Sequence, residues 1–136
     1  MKRIAFVLFV AVIAAGCGKD KIVKKTIPAT STALFAKWEL WYQDGGLQPG
    51  VSFAPGNGNI VQFNADSTYV FYQKGIITKQ GTFHVQENSY SLGINGKVDY
   101  IYYDHNATGE VLQLKKDTLI IGTNIADGLA SIYLKK

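Results

Sequence analysis

Between Asn59 and Ile94, apolar and polar residues alternate with a period of two in successive runs, and the breaks between runs are too short to hold a helix. Val61 and Phe63 alternate with Ile60 and Gln62, Tyr69 and Phe71 with Val70 and Tyr72, and Gly81, Phe83 and Val85 with Thr82 and His84. Asn64-Ala65-Asp66-Ser67 and Gln86-Glu87-Asn88 supply residues whose side chains bond their own backbone and tolerate tight turns. This pattern predicts an antiparallel meander with one face of each strand turned inward.

The flanking sequence extends the pattern in both directions. Ser31 to Phe35 predicts one helical turn capped by a hydroxyl, and Ala36 to Tyr42 a strand that alternates Trp38, Leu40 and Tyr42 on one face, with Trp38 inward, against Lys37, Glu39 and Trp41 on the other. Gln43 to Gly58 is far longer than an ordinary hairpin loop and carries the apolar pair Val51 and Phe53. Tyr90, Leu92 and Ile94 lead into Asn95-Gly96, a hairpin dipeptide, and Val98 to Tyr103 returns. Asp104 to Gly109 is a polar loop, followed by a strand from Val111 to Leu114, a turn at Lys115-Lys116-Asp117, a strand from Leu119 to Ile121, a loop from Asn124 to Gly128 and a last strand from Ala130 to Leu134. No stretch past residue 16 has helical periodicity over ten residues, so the class is all-β. Short connections favour an antiparallel up-and-down barrel over a Greek-key sandwich. A closed meander needs an even number of strands, about eight. One of the nine segments must therefore lie outside, and the short first or last is the expected one.

The chain's beginning predicts an address. Met1-Lys2-Arg3 precedes an apolar run of twelve residues, Ile4 to Ala15, too short for the roughly 17–25 residues of a bilayer span. Ala15-Gly16-Cys17 resembles the lipobox of bacterial lipoproteins, in which the cysteine is lipidated and becomes the mature N-terminus. Cys17 is the only cysteine, and a lone thiol in an oxidising compartment is better explained as an anchor than as a stray residue. The expected organisation is a signal peptide over residues 1–16, a lipidated cysteine and lysine-rich tether over 17–30, and a domain over 31–136. No acidic residue directly follows Cys17, which favours the outer membrane.

Charge needs to be divided along the same lines. The net charge of +4 comes from the signal and from Lys19, Lys21, Lys24 and Lys25 in the tether, whereas from Thr26 onward eight lysines face nine acids. The domain is therefore not the basic body that nucleic-acid binding requires. The tether's lysines can lie against anionic head groups, or serve as a solvated linker.

Taken together, the helical turn, Trp38 in the first strand, the long first loop, the stretch Phe63 to Tyr69, Gly81-Thr82-Phe83, Asp117-Thr118-Leu119 and the basic end Tyr133 to Lys136 resemble the lipocalin-like domains of bacterial lipoproteins. Ala36 stands where that pattern has glycine, and Lys135 or Lys136 where an arginine would cover the indole. The resemblance implies an eight-stranded barrel with an open mouth under the first loop.

The residues carry little chemistry. His84 and His105 lie in separate segments, no nucleophile or metal-ligand spacing is present, and Gly56-Asn57-Gly58 lacks the rest of a nucleotide loop. His84 is expected to face outward, and Asp104-His105-Asn106 near Glu110 reads as a polar turn rather than a metal site. The expectation is a binding protein without a cofactor or a catalytic step, and the competing reading is a hydrolase whose two carboxylates are brought together only in space. Trp38, Phe53, Phe63, Tyr69, Phe71 and Phe83 are the candidates to hold a small apolar or amphipathic molecule. The alternative is a module that holds an envelope protein or a glycan on outer aromatic residues, Trp41 and Tyr103. Asp66-Ser67-Thr68 and Asp117-Thr118-Leu119 also match a short O-glycan acceptor pattern and are expected at turns.

Overall fold

The computed structural model describes residues 29–46, 49–90, 97–123 and 128–136. The signal peptide, Cys17, the tether up to residue 28, Leu92, Ile94, the Asn95-Gly96 turn and most of the loop from Asn124 lie outside the described residues. The elements are α1 (Ala29–Leu34), β1 (Lys37–Asp44), β2 (Val51–Ser52), β3 (Ile60–Phe63), β4 (Thr68–Gln73), β5 (Ile76–Tyr90), β6 (Lys97–Tyr103), β7 (Glu110–Lys115), β8 (Thr118–Gly122) and β9 (Ala130–Lys135).

Each strand from β3 to β9 pairs antiparallel with the next, β3 pairs with β1, and β9 returns to β1, closing an eight-stranded barrel. The predicted all-β, up-and-down barrel is what forms. The segment outside it is not the first or the last, however, since these are neighbours in register Trp38 to Lys135 and Asp44 to Ala130. Two corrections account for the count. Gln86-Glu87-Asn88 is not a turn: the chain runs through it as a bulge, with Asn88 at φ 56°, so the residues on either side of it, as far as Tyr90, belong to the one strand β5. β5 also starts earlier than Gly81, directly after the β4–β5 turn at Lys74-Gly75 with φ 51° and 80°, and includes Ile76 to Gln80. The ninth strand is β2, inside the long first loop and paired only to Tyr42 and Gln43 of β1.

The period of two explains the core. Trp38, Val61, Phe63, Tyr69, Phe83, Ile101, Leu112 and Leu119 point inward and are almost fully buried. The Phe63 and Phe83 rings meet edge to face with centroids 4.9 Å apart, and Tyr69 meets Tyr103 in the same way at 4.8 Å. This filling occupies the end from which β1 starts. There α1 lies across the barrel: the Trp38 indole N–H donates to the Leu34 carbonyl at 2.8 Å, the Thr30 amide to Glu87 at 2.7 Å and the Thr30 hydroxyl to Asp99 at 3.0 Å. Lys135 holds its ammonium 5.7 Å from the Trp38 ring centroid. Both hydroxyl triplets sit at turns of this same end, with Ser67 at φ 64° and Lys116, just before Asp117, at φ 51°.

Candidate functional site

The opposite end is hollow. A cavity of about 370 Å³ is lined by Leu40, Phe53, Phe71 and Tyr133, with Gln43, Lys79 and the rim residues Asn59, Ile60, Tyr72, Gln73 and Thr78. Its inner wall follows from the alternation: Leu40 and Tyr133 face each other across β1 and β9, and Phe71 faces Lys79 across β4 and β5. Phe53 comes from the first loop, its amide donating to the Trp41 carbonyl at 2.8 Å, so its half-buried ring closes the side where β1 has parted from β3.

A polar cluster with partly exposed side chains adjoins this hollow. Lys79 sits 5.3 Å from the centroids of both Tyr69 and Tyr103 and 3.4 Å from the Asp104 carboxylate. The Tyr69 hydroxyl donates to Asp104 at 2.6 Å, and the Thr82 amide donates to the other carboxylate oxygen at 3.0 Å. Those bonds, the Tyr69 hydroxyl first, hold the Asp104 carboxyl below its ordinary range. Gly81 makes room for the arrangement, because a Cβ there would run into the Asp104 carboxylate. Glu110, opposite inward-facing Ile101, is pushed the other way: burial raises its carboxyl, with Lys79 pulling less strongly against that. Burial likewise raises the Tyr103 phenol well above its usual value, and its hydroxyl has no hydrogen-bond partner among the described residues.

No family model matches this chain, and neither does any curated protein or solved structure.

The structure divides the six residues expected to line a binding site. Phe53 and Phe71 do line the cavity, whereas Trp38, Phe63, Tyr69 and Phe83 are in the filling beneath it. Of the outer pair, Trp41 is 48% exposed on the barrel wall, but Tyr103 is only 6% exposed and points inward. Tyr103 shares its face with Ile101, so Tyr100 and Tyr102 are the outward rings of β6. His84 does face outward, stacked on Tyr102 at 4.7 Å with the planes 4° apart. Asp104-His105-Asn106 is a tight turn with φ 51° at Asp104 and 60° at His105, and the Asn106 amide donates back to the Tyr103 carbonyl at 2.9 Å. Among the described residues, no three histidine, cysteine or carboxylate side chains cluster as a metal site would.

Sequence reasoning missed Lys79, Asp104, Glu110 and Tyr133 as neighbours. Lys79 interrupts the apolar alternation of β5, which is a legible signal, but Asp104, Glu110 and Tyr133 lie 25 and more residues away in the chain.

Proposed function

We propose that this protein is a membrane-anchored lipoprotein whose lipocalin-like barrel holds a small apolar or amphipathic molecule in its open mouth. The cavity carries this reading. Its volume of about 370 Å³ is in the range of small-ligand sites, and it has the matching composition, an apolar wall of Leu40, Phe53, Phe71 and Tyr133 with one cation, Lys79, among the polar groups. The filled end supports it too, because a ligand has only the mouth to occupy and no long tunnel to thread.

Binding without turnover is favoured over hydrolysis by where the acids lie. Asp104 and Glu110 are shifted in opposite directions, as a catalytic carboxylate pair would be, yet neither lines the cavity. A second reading, an envelope module that docks a protein or glycan, keeps Trp41 as its one supporting observation.

Two measurements test the proposal. Native mass spectrometry of protein purified from its own host should show an adduct that Phe71→Ala removes, and an adduct-free parent protein overturns the ligand. Fractionation tests the anchor: wild type should stay with outer membranes through a salt wash while Cys17→Ser is released, and equal retention overturns it.

A further inference from the structure

A second hollow, of about 200 Å³, lies on the outside of the barrel where β1 meets β9. Trp41, Pro55 and Leu134 form its apolar floor, and Glu39, Lys135 and Lys136 its polar end, with the Lys136 ammonium 3.2 Å from the Glu39 carboxylate. It shares two residues with the mouth cavity, Leu40 and Phe53. Leu40 is fixed in the wall of β1. Phe53 is not, because it hangs from the first loop.

The barrel wall is thin at this point. β1 pairs with β3 only through Lys37, Trp38 and Glu39. Beyond Glu39 one more backbone bond follows on that side, from the Leu40 amide to the Asn59 carbonyl at 2.8 Å, and then the partner is β2, two residues long, extended by the Phe53 amide bond to Trp41. The strap that carries Phe53 is pinned on both sides. After it, the Glu39 carboxylate accepts from the Gly56 amide at 3.0 Å and the Gly58 amide at 3.3 Å, and Asn57 donates to the Leu40 carbonyl at 2.9 Å. Before it, the Tyr42 hydroxyl lies over Gly50 so closely that any side chain there would collide. Between the pins Val51 and Ser52 are exposed, and what holds the strap down is a few backbone bonds and one aromatic ring. Segments secured by so few contacts open at low free-energy cost.

We propose that the cavity and the outer groove are two halves of one binding site for a linear, single-chain amphiphile with an anionic head, with Phe53 as the movable neck between them. The inference rests on the ligand reading above and narrows its ligand class. The tail lies inside against Leu40, Phe71 and Tyr133, the chain crosses where Phe53 stands, and the head reaches the groove at the Lys136 ammonium beside Glu39. Trp41 flanks the chain as it leaves the barrel. A compact ligand uses the mouth alone and does not pass beyond Phe53 into the groove.

The test uses the mature chain, residues 17–136, carrying Cys17→Ser so that no detergent competes, with two fluorescent probes: cis-parinaric acid, a long-chain carboxylate, and the compact anilinonaphthalene sulfonate. Phe53→Ala should raise both association and dissociation rates of cis-parinaric acid by about tenfold while changing its Kd by less than about threefold, since a neck governs passage more than affinity. Trp41→Phe should weaken cis-parinaric acid by about threefold through lost apolar contact. Trp41→Phe, which lies outside the mouth cavity, should not alter the compact probe. Phe53→Leu, a milder change checked for its melting temperature, replaces Phe53→Ala if the latter does not fold. Unchanged rates for the long probe in the Phe53 variants, with the parent binding it, overturn the neck and leave the mouth site standing. Uptake of neither probe by the parent overturns the ligand reading and this one with it.

Discussion

Glu110 enters the barrel from β7 among Lys79, Tyr103 and Tyr133, and burial raises its carboxyl pKa above the unfolded value. The folded state therefore holds that proton more tightly than the unfolded chain. The stabilisation from this is complete below the unfolded pKa, about 4.3, and is lost as pH rises through the higher folded value. Glu110→Gln should accordingly match the parent's melting temperature near about pH 4 and exceed it by a few degrees at neutral pH, a difference read by thermal scans across that window. Asp104, Glu39, Asp66 and Glu87 are shifted downward and give the opposite slope, but they are common to both proteins and cancel in the comparison. At this scale the alternation made Trp38, Phe63 and Phe83 legible as inward residues. It could not orient β6, where Tyr100, Ile101, Tyr102 and Tyr103 are large on both faces and only the register to Phe83 and Val85 decides. Nor could it reveal the contact of Tyr69 with Asp104, which two strands and a loop separate in sequence.

At the scale of elements, β5 shows how a turn signal can be overruled. Gln86-Glu87-Asn88 has turn chemistry, but the following residues still find partners on β6, Ser89 with Val98 and Tyr90 with Lys97. The positive φ that would close a turn is absorbed as a bulge, and the freed Asn88 amide donates to the Asp99 carboxylate at 2.9 Å. Asparagine tolerates this conformation and a β-branched residue does not. Asn88→Gly should leave stability within about 0.5 kcal/mol of the parent, whereas Asn88→Val should cost about 1–3 kcal/mol, measured by urea unfolding. An equal effect of the two would mean that the bulge is not strained. The two-residue β2 was invisible for a different reason. Val51 and Ser52 have no alternation of their own, and their pairing depends on β1 having already left β3.

For the whole molecule, the requirement of an even, closed set of strands was the part of the fold most firmly written in the sequence. Nearly every connection is short, so each strand has to lie beside the next, and inward aromatics leave no room for a flat sheet. The open end was less legible, because a cavity is what remains when side chains from five strands and the first loop stop short of one another. Closure also brings the ends of the barrel together: the Lys136 amide donates to the Lys37 carbonyl at 2.9 Å, so the last stave ends where the first begins. Nothing in the completed cylinder then distinguishes one strand as first, and the break in the covalent ring is a matter of position. A permutant that joins residue 136 to residue 29 by a short glycine-serine linker and starts at Thr108, in the exposed β6–β7 loop, should reach the same β-rich circular dichroism spectrum and lose less than about 2 kcal/mol. Failure of that permutant to fold would show that the order of synthesis, beyond the neighbour relations of the strands, is part of what specifies this barrel.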